Sequence, residues 1–210
     1  MNLNVPKVYL LGAGNLAREI GHYFHGQFNF VFVSDDPTAG VSIFGIRYPH
    51  LAACPSEGNF IVALGSVHGR RALAHKACLN GGFPRITIVH EKAINTSNLK
   101  GLGHGGCIFP FAVVQHEVAF GDYVIVQHGA TVGHNARLGE CVICGPGAFV
   151  GRDCVIDAGV TIGAGASIRE GIYIAENCTV GMGAVVVKDC LIPNTVLVGV
   201  PARARDSRVL

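Results

Sequence analysis

From Leu102 onward every sixth residue is apolar: Ile108, Val114, Phe120, Val126, Val132, Leu138, Cys144, Val150, Ile156, Ile162, Ile168, Ile174, Val180, Val186 and Ile192 follow without a break. Half of all residues are hydrophobic, so a run of sixteen in any of six phases arises by chance in about one chain in ten thousand. The position two before each residue from Ile108 on, from Gly106 and Ala112 to Cys190, is never charged, nor is Val196, one step further. Glycine often follows the apolar residue, as at Gly121, Gly133, Gly139, Gly145, Gly151, Gly163 and Gly181, where a tight corner would demand unusual backbone angles. One branched side chain, one small inward neighbour and a glycine corner make one short strand plus one turn, and three such units close a triangular coil.

This is the hexapeptide-repeat signature, and its architecture is the left-handed parallel β-helix, an exception to the usual right-handed crossover. Leu102 to Ile192 supplies about five coils of eighteen residues, roughly 24 Å of solenoid, with the phase kept throughout. The composition follows from it. Eighteen of the 29 glycines lie between Gly101 and Gly199, and only twelve of residues 101–200 are Asp, Glu, Lys or Arg.

The first part of the chain has another grammar. Strand-like runs at Lys7–Leu11, Phe28–Val33, Phe60–Leu64 and Ile86–Val89 alternate with helical patterns over Asn15–His25 and Val67–Asn80. Such alternation predicts a short parallel sheet with crossover helices, a half-size version of a dinucleotide-binding fold. The expected division is therefore an α/β half-Rossmann-like domain over 1–90, a left-handed β-helix over 91–200, and a tail over 201–210. Gly12-Ala-Gly14-Asn-Leu-Ala17 follows the first strand and opens a helix, the context in which a G-x-G-x-x-A motif holds phosphate on backbone N–H groups. Asp35 and Asp36 fall where a carboxylate meets a ribose hydroxyl, Gly65-Ser66 offers a further backbone approach, and Arg70 or Arg71 could offset diphosphate charge. A nucleotide or nucleotide-sugar suits so small a sheet better than a complete nicotinamide cofactor does.

A formal charge of +2 and 8% aromatic residues without tryptophan give no footprint for nucleic acid. Neither a secretory signal nor a membrane span is expected, which places the chain in the cytoplasm and its eight cysteines in the reduced state. Cys141-Val-Ile-Cys144 has the spacing of a redox or zinc half-site but lacks a second pair. Within the solenoid, residues eighteen apart stack, so Asn98, His116, His134, Arg152, Glu170 and Lys188 form one polar column containing two stacked histidines. His128 sits at the same turn position on a neighbouring face. These histidines read as solvated or interfacial groups, as a general base in a cleft between subunits, or as metal ligands shared across an interface.

The two halves together resemble sugar O-acyltransferases of the sialic acid O-acetyltransferase type and their relatives that N-acetylate UDP- or GDP-linked amino sugars. The resemblance is carried by Val8-Tyr-Leu-Leu-Gly-Ala-Gly14, Phe32-Val-Ser-Asp-Asp36, Ile61-Val-Ala-Leu-Gly65, Ile88-Val-His90, Val132-Gly-His-Asn-Ala-Arg-Leu-Gly139, the hexapeptide array and Val198-Gly-Val-Pro-Ala-Arg203. It implies a homotrimer that takes acetyl-CoA as cosubstrate, without a metal, in the groove between adjacent β-helices. A nucleotide-linked amino sugar held by the N-terminal domain would reach the same groove. His134 matches the family's catalytic histidine, followed here by Asn135. Nucleotide-sugar positions carry over to Gly14, Asn15, Leu16, Asp35, Asp36 and Gly65, with Gln127 where some relatives have asparagine. The coenzyme would contact Ile143, where some relatives have a second histidine, then Gly163, Ala164, Gly181 and Met182, and end near Pro201 and Arg203. Asn135 departs from the acidic residue common after the histidine, although hexapeptide N-acyltransferases of lipid A synthesis also have asparagine there.

Transfer to the amine of a nucleotide-linked amino sugar is the function so implied, with O-acetylation of a sialic acid or other sugar hydroxyl as its near alternative. A non-catalytic, nucleotide-sugar-binding trimeric scaffold is a second alternative. A hexapeptide metalloenzyme of the carbonic anhydrase type has closely paired histidines, unlike the spacings of 12 and 6 here. A nicotinamide oxidoreductase would need a substrate domain that the β-helix leaves no room for.

Overall fold

The computed structural model describes residues 6–33, 59–81, 86–95 and 101–205. The chain divides into two compact units, Met1–Ile86 and Thr87–Leu210.

In the first unit β1 (Lys7–Leu11) lies between β2 (Asn29–Val33) and β3 (Asn59–Val62), all parallel. Val8, Tyr9, Leu10 and Leu11 are buried without alternation, as expected of a parallel strand covered on both faces. Helix α1 (Asn15–Phe24) buries Ala17, Ile20, Gly21 and Phe24, the i, i+3, i+4, i+7 stripe of an amphipathic helix. A side chain at position 21 would place its Cβ 2.6 Å from the Phe32 ring. Helix α2 (Val67–Gly81) starts where the Ser66 hydroxyl oxygen accepts the Gly69 N–H at 3.2 Å, a side-chain N-cap.

The second unit is the left-handed β-helix, with two-residue strands stacked in three parallel sheets. Face one runs from β4 (Ile88–Val89) through Cys107–Ile108, Ile125–Val126, Ile143–Cys144 and Thr161–Ile162 to Thr179–Val180 and Val196–Val198. Face two runs from β5 (Ile94–Asn95) through Val113–Val114, Thr131–Val132, Phe149–Val150 and Ser167–Ile168 to Val185–Val186, and face three from Ala119–Phe120 to Tyr173–Ile174. The inward residue of each strand and the residue two before it make one continuous core from Ile108 to Val186. Fully burying each such aliphatic contributes about 1.5–3 kcal/mol.

Both ends of the array correct the sequence reading. The strand expected at Ile86–Val89 is confined to Ile88–Val89 and joins the solenoid, pairing with Cys107–Ile108, instead of extending the first sheet. Val89 stands opposite Ile108 and Ile94 opposite Val113, an offset of 19 residues that hides these rungs from a strict six-residue count. At the other end the phase stops at Val186. Cys190 bridges Ile174, Leu197 pairs with Val180, and Ile192, expected to point inward, is 72% exposed. Arg203–Arg205, assigned from sequence to a tail, returns antiparallel along Val196–Val198.

The corners also differ from expectation. The glycine directly after the inward residue does not take a left-handed conformation; the residue two further on does. All fourteen residues from Gly105 to Gly183 in steps of six have φ between 57° and 75°, whether glycine or, as at Phe111, Glu117, Tyr123, Asn135, Cys141, Asp153 and Asn177, not. This turn directs an amide along the solenoid axis onto the previous coil: Gly147 N–H donates to His128 O at 2.9 Å, and Asp153 N–H to His134 O at 3.0 Å. Glycine at the earlier position answers to crowding. A Cβ on Gly133 would lie 2.5 Å from the Arg152 backbone nitrogen of the next coil.

Candidate active site

In the first unit the loops after β1 and β3 leave the carboxyl ends of adjacent strands, on the two sides of the topological switch point where nucleotides bind in open α/β sheets. Gly12 is held there for packing. Its φ is +116°, its amide donates to Val33 O at 2.7 Å, and a Cβ would meet Ala63 O at 3.0 Å. Gly14 and Gly65 are different, because no atom lies within 4 Å of a Cβ built on either. Gly14 is the N-cap of α1, with extended backbone and no side-chain cap, and the first turn of the helix carries no acidic residue. The amides around Gly14, Asn15 and Leu16 thus form an open N-terminus suited to an anion. Arg70, proposed from sequence as a diphosphate counter-charge, is instead fully buried. Asp35 and Asp36 lie outside the described residues.

In the β-helix the residue two after each inward position projects at a corner. Corner one, after face one, presents Pro110, His128, Pro146, Ala164 and Met182, each followed by the left-handed residue Phe111, Gly129, Gly147, Gly165 or Gly183. A Cβ on any of these four glycines would meet nothing within 4 Å, so bare main chain lies open along this edge, beside an 81% exposed Met182. Corner two, after face two, presents His116, His134, Arg152, Glu170 and Lys188.

His134 stands at corner two with its ring stacked on that of His116, the centroids 4.9 Å apart and the planes 5° from parallel. Its backbone N–H donates to Gln115 Oε1 at 2.9 Å. His134 Nδ1 is buried and makes no hydrogen bond with the described residues. Asn135, expected to act with the histidine, has its own partner eighteen residues on. Its φ of 60° suits a residue type that tolerates the left-handed region, and its Nδ2 donates to Asp153 Oδ1 at 3.0 Å. That hydrogen bond first, and then Arg152, whose Nη1 lies 2.8 Å from Asp153 Oδ2, hold the Asp153 carboxyl below the ordinary carboxylate range.

The candidate residues thus separate by edge. Gln127, Ile143, Gly163, Ala164, Gly181 and Met182 belong to face one or corner one, and Pro201 and Arg203 lie just before and at the start of the antiparallel strand that ends the same sheet. His134 and Asn135 belong to corner two, so a single chain does not bring the two sets together. Gln115 and Asp153 were not singled out from sequence, although the eighteen-residue register connects the coils they occupy with that of His134 and Asn135. Cys141 and Cys144 are both buried, and burial alone pushes the Cys144 thiol up to about 12, which leaves no reactive dithiol there. Among the described residues no three His, Cys, Asp or Glu side chains converge as a metal ligand set. None of the described helices is long and apolar enough to cross a membrane.

Residues 153–188 match the bacterial transferase hexapeptide (six repeats) family. The chain is similar in structure to a histidine-to-asparagine variant of perosamine N-acetyltransferase from Caulobacter crescentus, solved in complex with CoA and GDP-perosamine. The TM-score is 0.86 and the identity 25%, over 99% of this chain and 100% of that one. The acetyltransferase domain of PglB from Neisseria gonorrhoeae in complex with acetyl coenzyme A matches with TM-score 0.86 and 28% identity, over 96% and 100% of the two chains. WeeI from Acinetobacter baumannii shares the fold, with TM-score 0.83 and 22% identity over 94% and 99%. No curated protein matches in sequence. The resemblance to sugar acetyltransferases of the hexapeptide-repeat, left-handed β-helix class therefore extends over nearly the whole backbone.

Proposed function

We propose that this chain transfers the acetyl group of acetyl-CoA to the amine of a nucleotide-linked amino sugar. The observation that carries the reading is the end-to-end likeness to an N-acetyltransferase solved with CoA and a GDP-amino sugar, in a chain that holds a histidine at an open corner of the β-helix. The open N-terminus of α1 would hold the nucleotide phosphates. The bare main chain of corner one would accept the extended coenzyme, since glycines there leave room for close approach.

His134 would act as general base, taking a proton from the sugar amine as its nitrogen attacks the thioester carbonyl carbon. The C–N bond forms, the C–S bond breaks, and CoA leaves as its thiol once the sulfur takes up the proton. A backbone N–H at a corner would stabilise the oxyanion. Because the donor lane and His134 occupy different edges of one chain, the reading requires a second copy. Face two lies between corners one and two, and its outward column of Ile94, Val113, Thr131, Phe149, Ser167 and Val185 is uncharged. Three copies with this face turned to a common axis would set corner two of each beside corner one of the next, a homotrimer with three grooves.

Steady-state kinetics of His134→Ala with acetyl-CoA and a panel of nucleotide amino sugars tests the proposal. Turnover is expected to fall at least about a hundredfold, the usual contribution of a general base, and a loss under about tenfold overturns the role. Acceptance of sugar hydroxyls but not amines would select O-acetylation. Thermal stabilisation by nucleotide-sugar but not by coenzyme A would select the scaffold reading.

A further inference from the structure

We propose that His116 is a positioning residue for His134, its imidazole setting the plane in which the His134 ring lies. The inference rests on the general-base reading of His134 and goes beyond it by asking what orients that ring. In most catalytic and metal-bound histidines the direction of one ring nitrogen is set by a hydrogen bond to the other. Among the described residues of one chain His134 shows no such hydrogen bond at Nδ1, and the neighbouring Asn135 side chain is committed to Asp153. The torsion that turns a histidine ring about its Cβ–Cγ bond is broad and soft, so the ring plane needs an outside constraint.

The previous coil supplies it through three successive contacts. Gln115 Oε1 accepts the His134 N–H, the His116 carbonyl accepts the Asn135 N–H at 3.3 Å, and the His116 ring covers the face of the His134 ring. The first two fix the backbone, and the stacking fixes the side chain. At 5° between planes, rotation of the His134 ring would give up its parallel stack on His116. His116 is in turn flanked by Glu117, whose Oε2 lies 3.9 Å from its Nδ1. With its side chain 62% exposed, His116 is a poor candidate for holding the core together. Catalytic geometry is sensitive enough for this constraint to matter, since an ångström of misplacement can cost two orders of magnitude in rate.

The test compares His116→Ala with His116→Phe, which retains a flat ring but no titratable nitrogen, alongside His134→Ala. His116→Ala is expected to lower kcat about tenfold, with KM for acetyl-CoA and for the sugar changed less than about twofold, and His116→Phe to restore most of the loss. A kcat for His116→Ala within twofold of wild type overturns the proposal, as does a Phe variant as slow as the Ala variant, which would mean that the imidazole nitrogens matter and not the plane. If His134→Ala keeps more than a tenth of wild-type turnover, the base assignment itself fails. If His134→Ala is inactive while His116→Ala is normal, only the positioning role is lost.

Discussion

Corners one and two of the β-helix are the same backbone event with opposite chemical content. Both have an inward residue, a following position that is crowded wherever it is glycine, a projecting residue, and a left-handed residue that returns an amide to the coil before. Corner one, apart from Phe111, His128 and Met182, fills the last two positions with Pro, Ala and Gly, and so presents mostly main chain. Corner two fills them with His116, His134, Arg152, Glu170, Asn135 and Asp153, and so presents functional side chains. A repeat therefore has positions that the fold dictates and positions that it leaves free. Binding and catalytic character is written in the free ones.

The largest effect is expected where that distinction does not apply. Gly133 precedes His134 but belongs to the dictated set, because its Cβ would sit 2.5 Å from the next coil's backbone nitrogen. Gly133→Val should lower the unfolding free energy by about 3 kcal/mol or more, since backbone cannot yield as a side-chain tip can. Chemical denaturation measures it, and a cost below about 1 kcal/mol would show that the coils have slack.

A smaller and more selective effect is expected at corner one. Asparagine tolerates the left-handed region, and around Gly165 the space is open, so Gly165→Asn should leave the thermal midpoint close to that of wild type. The new side chain would stand in the donor lane and raise KM for acetyl-CoA about tenfold, ~1.4 kcal/mol of binding. A lower midpoint with unchanged KM would make this edge structural and break the contrast between the corners.

How far these roles could be read in advance depended on the same distinction. The six-residue period made the core legible residue by residue, and its eighteen-residue multiple placed His116 against His134. The strands and helices of the first unit fell within two residues of their expected ends, because apolar runs and an i, i+3, i+4 stripe are local signals. Local signals failed where register mattered. Ile88–Val89 looks the same whether it closes an α/β sheet or opens a solenoid, and the one-residue offset to Cys107–Ile108 hid the link. Ile192 kept the count while the chain had already shortened its turn at Cys190. The glycines directly after the inward residues have a different cause from the one expected: steric contact with the next coil is a long-range property, whereas the left-handed positions two residues on, glycine at seven of fourteen, also tolerate Phe111 and Tyr123 and so give a blurred signal. The partner of Asn135 was hidden for a related reason. Its amide lies within reach of Asp153, which is eighteen residues away in sequence but one coil away in space.

That last pairing gives the smallest and most specific effect, confined to corner two. The Asp153 carboxyl is held below its ordinary value of 3.8 by the Asn135 amide and then by Arg152, so the folded state favours the charged form more than the unfolded state does. Stability from this source is fully present above the ordinary value and is lost as pH falls through the depressed one. Asp153→Asn should therefore be slightly less stable than wild type at pH 7, by much less than Gly133→Val, because the group is exposed and solvent screens its partners. The deficit should shrink once the pH drops below about 4, where wild type also loses the charge. Parallel denaturation series at pH 7 and pH 3 measure it. A deficit equal at both values would mean that the carboxylate charge contributes nothing and that Asn135 is held by its left-handed backbone alone.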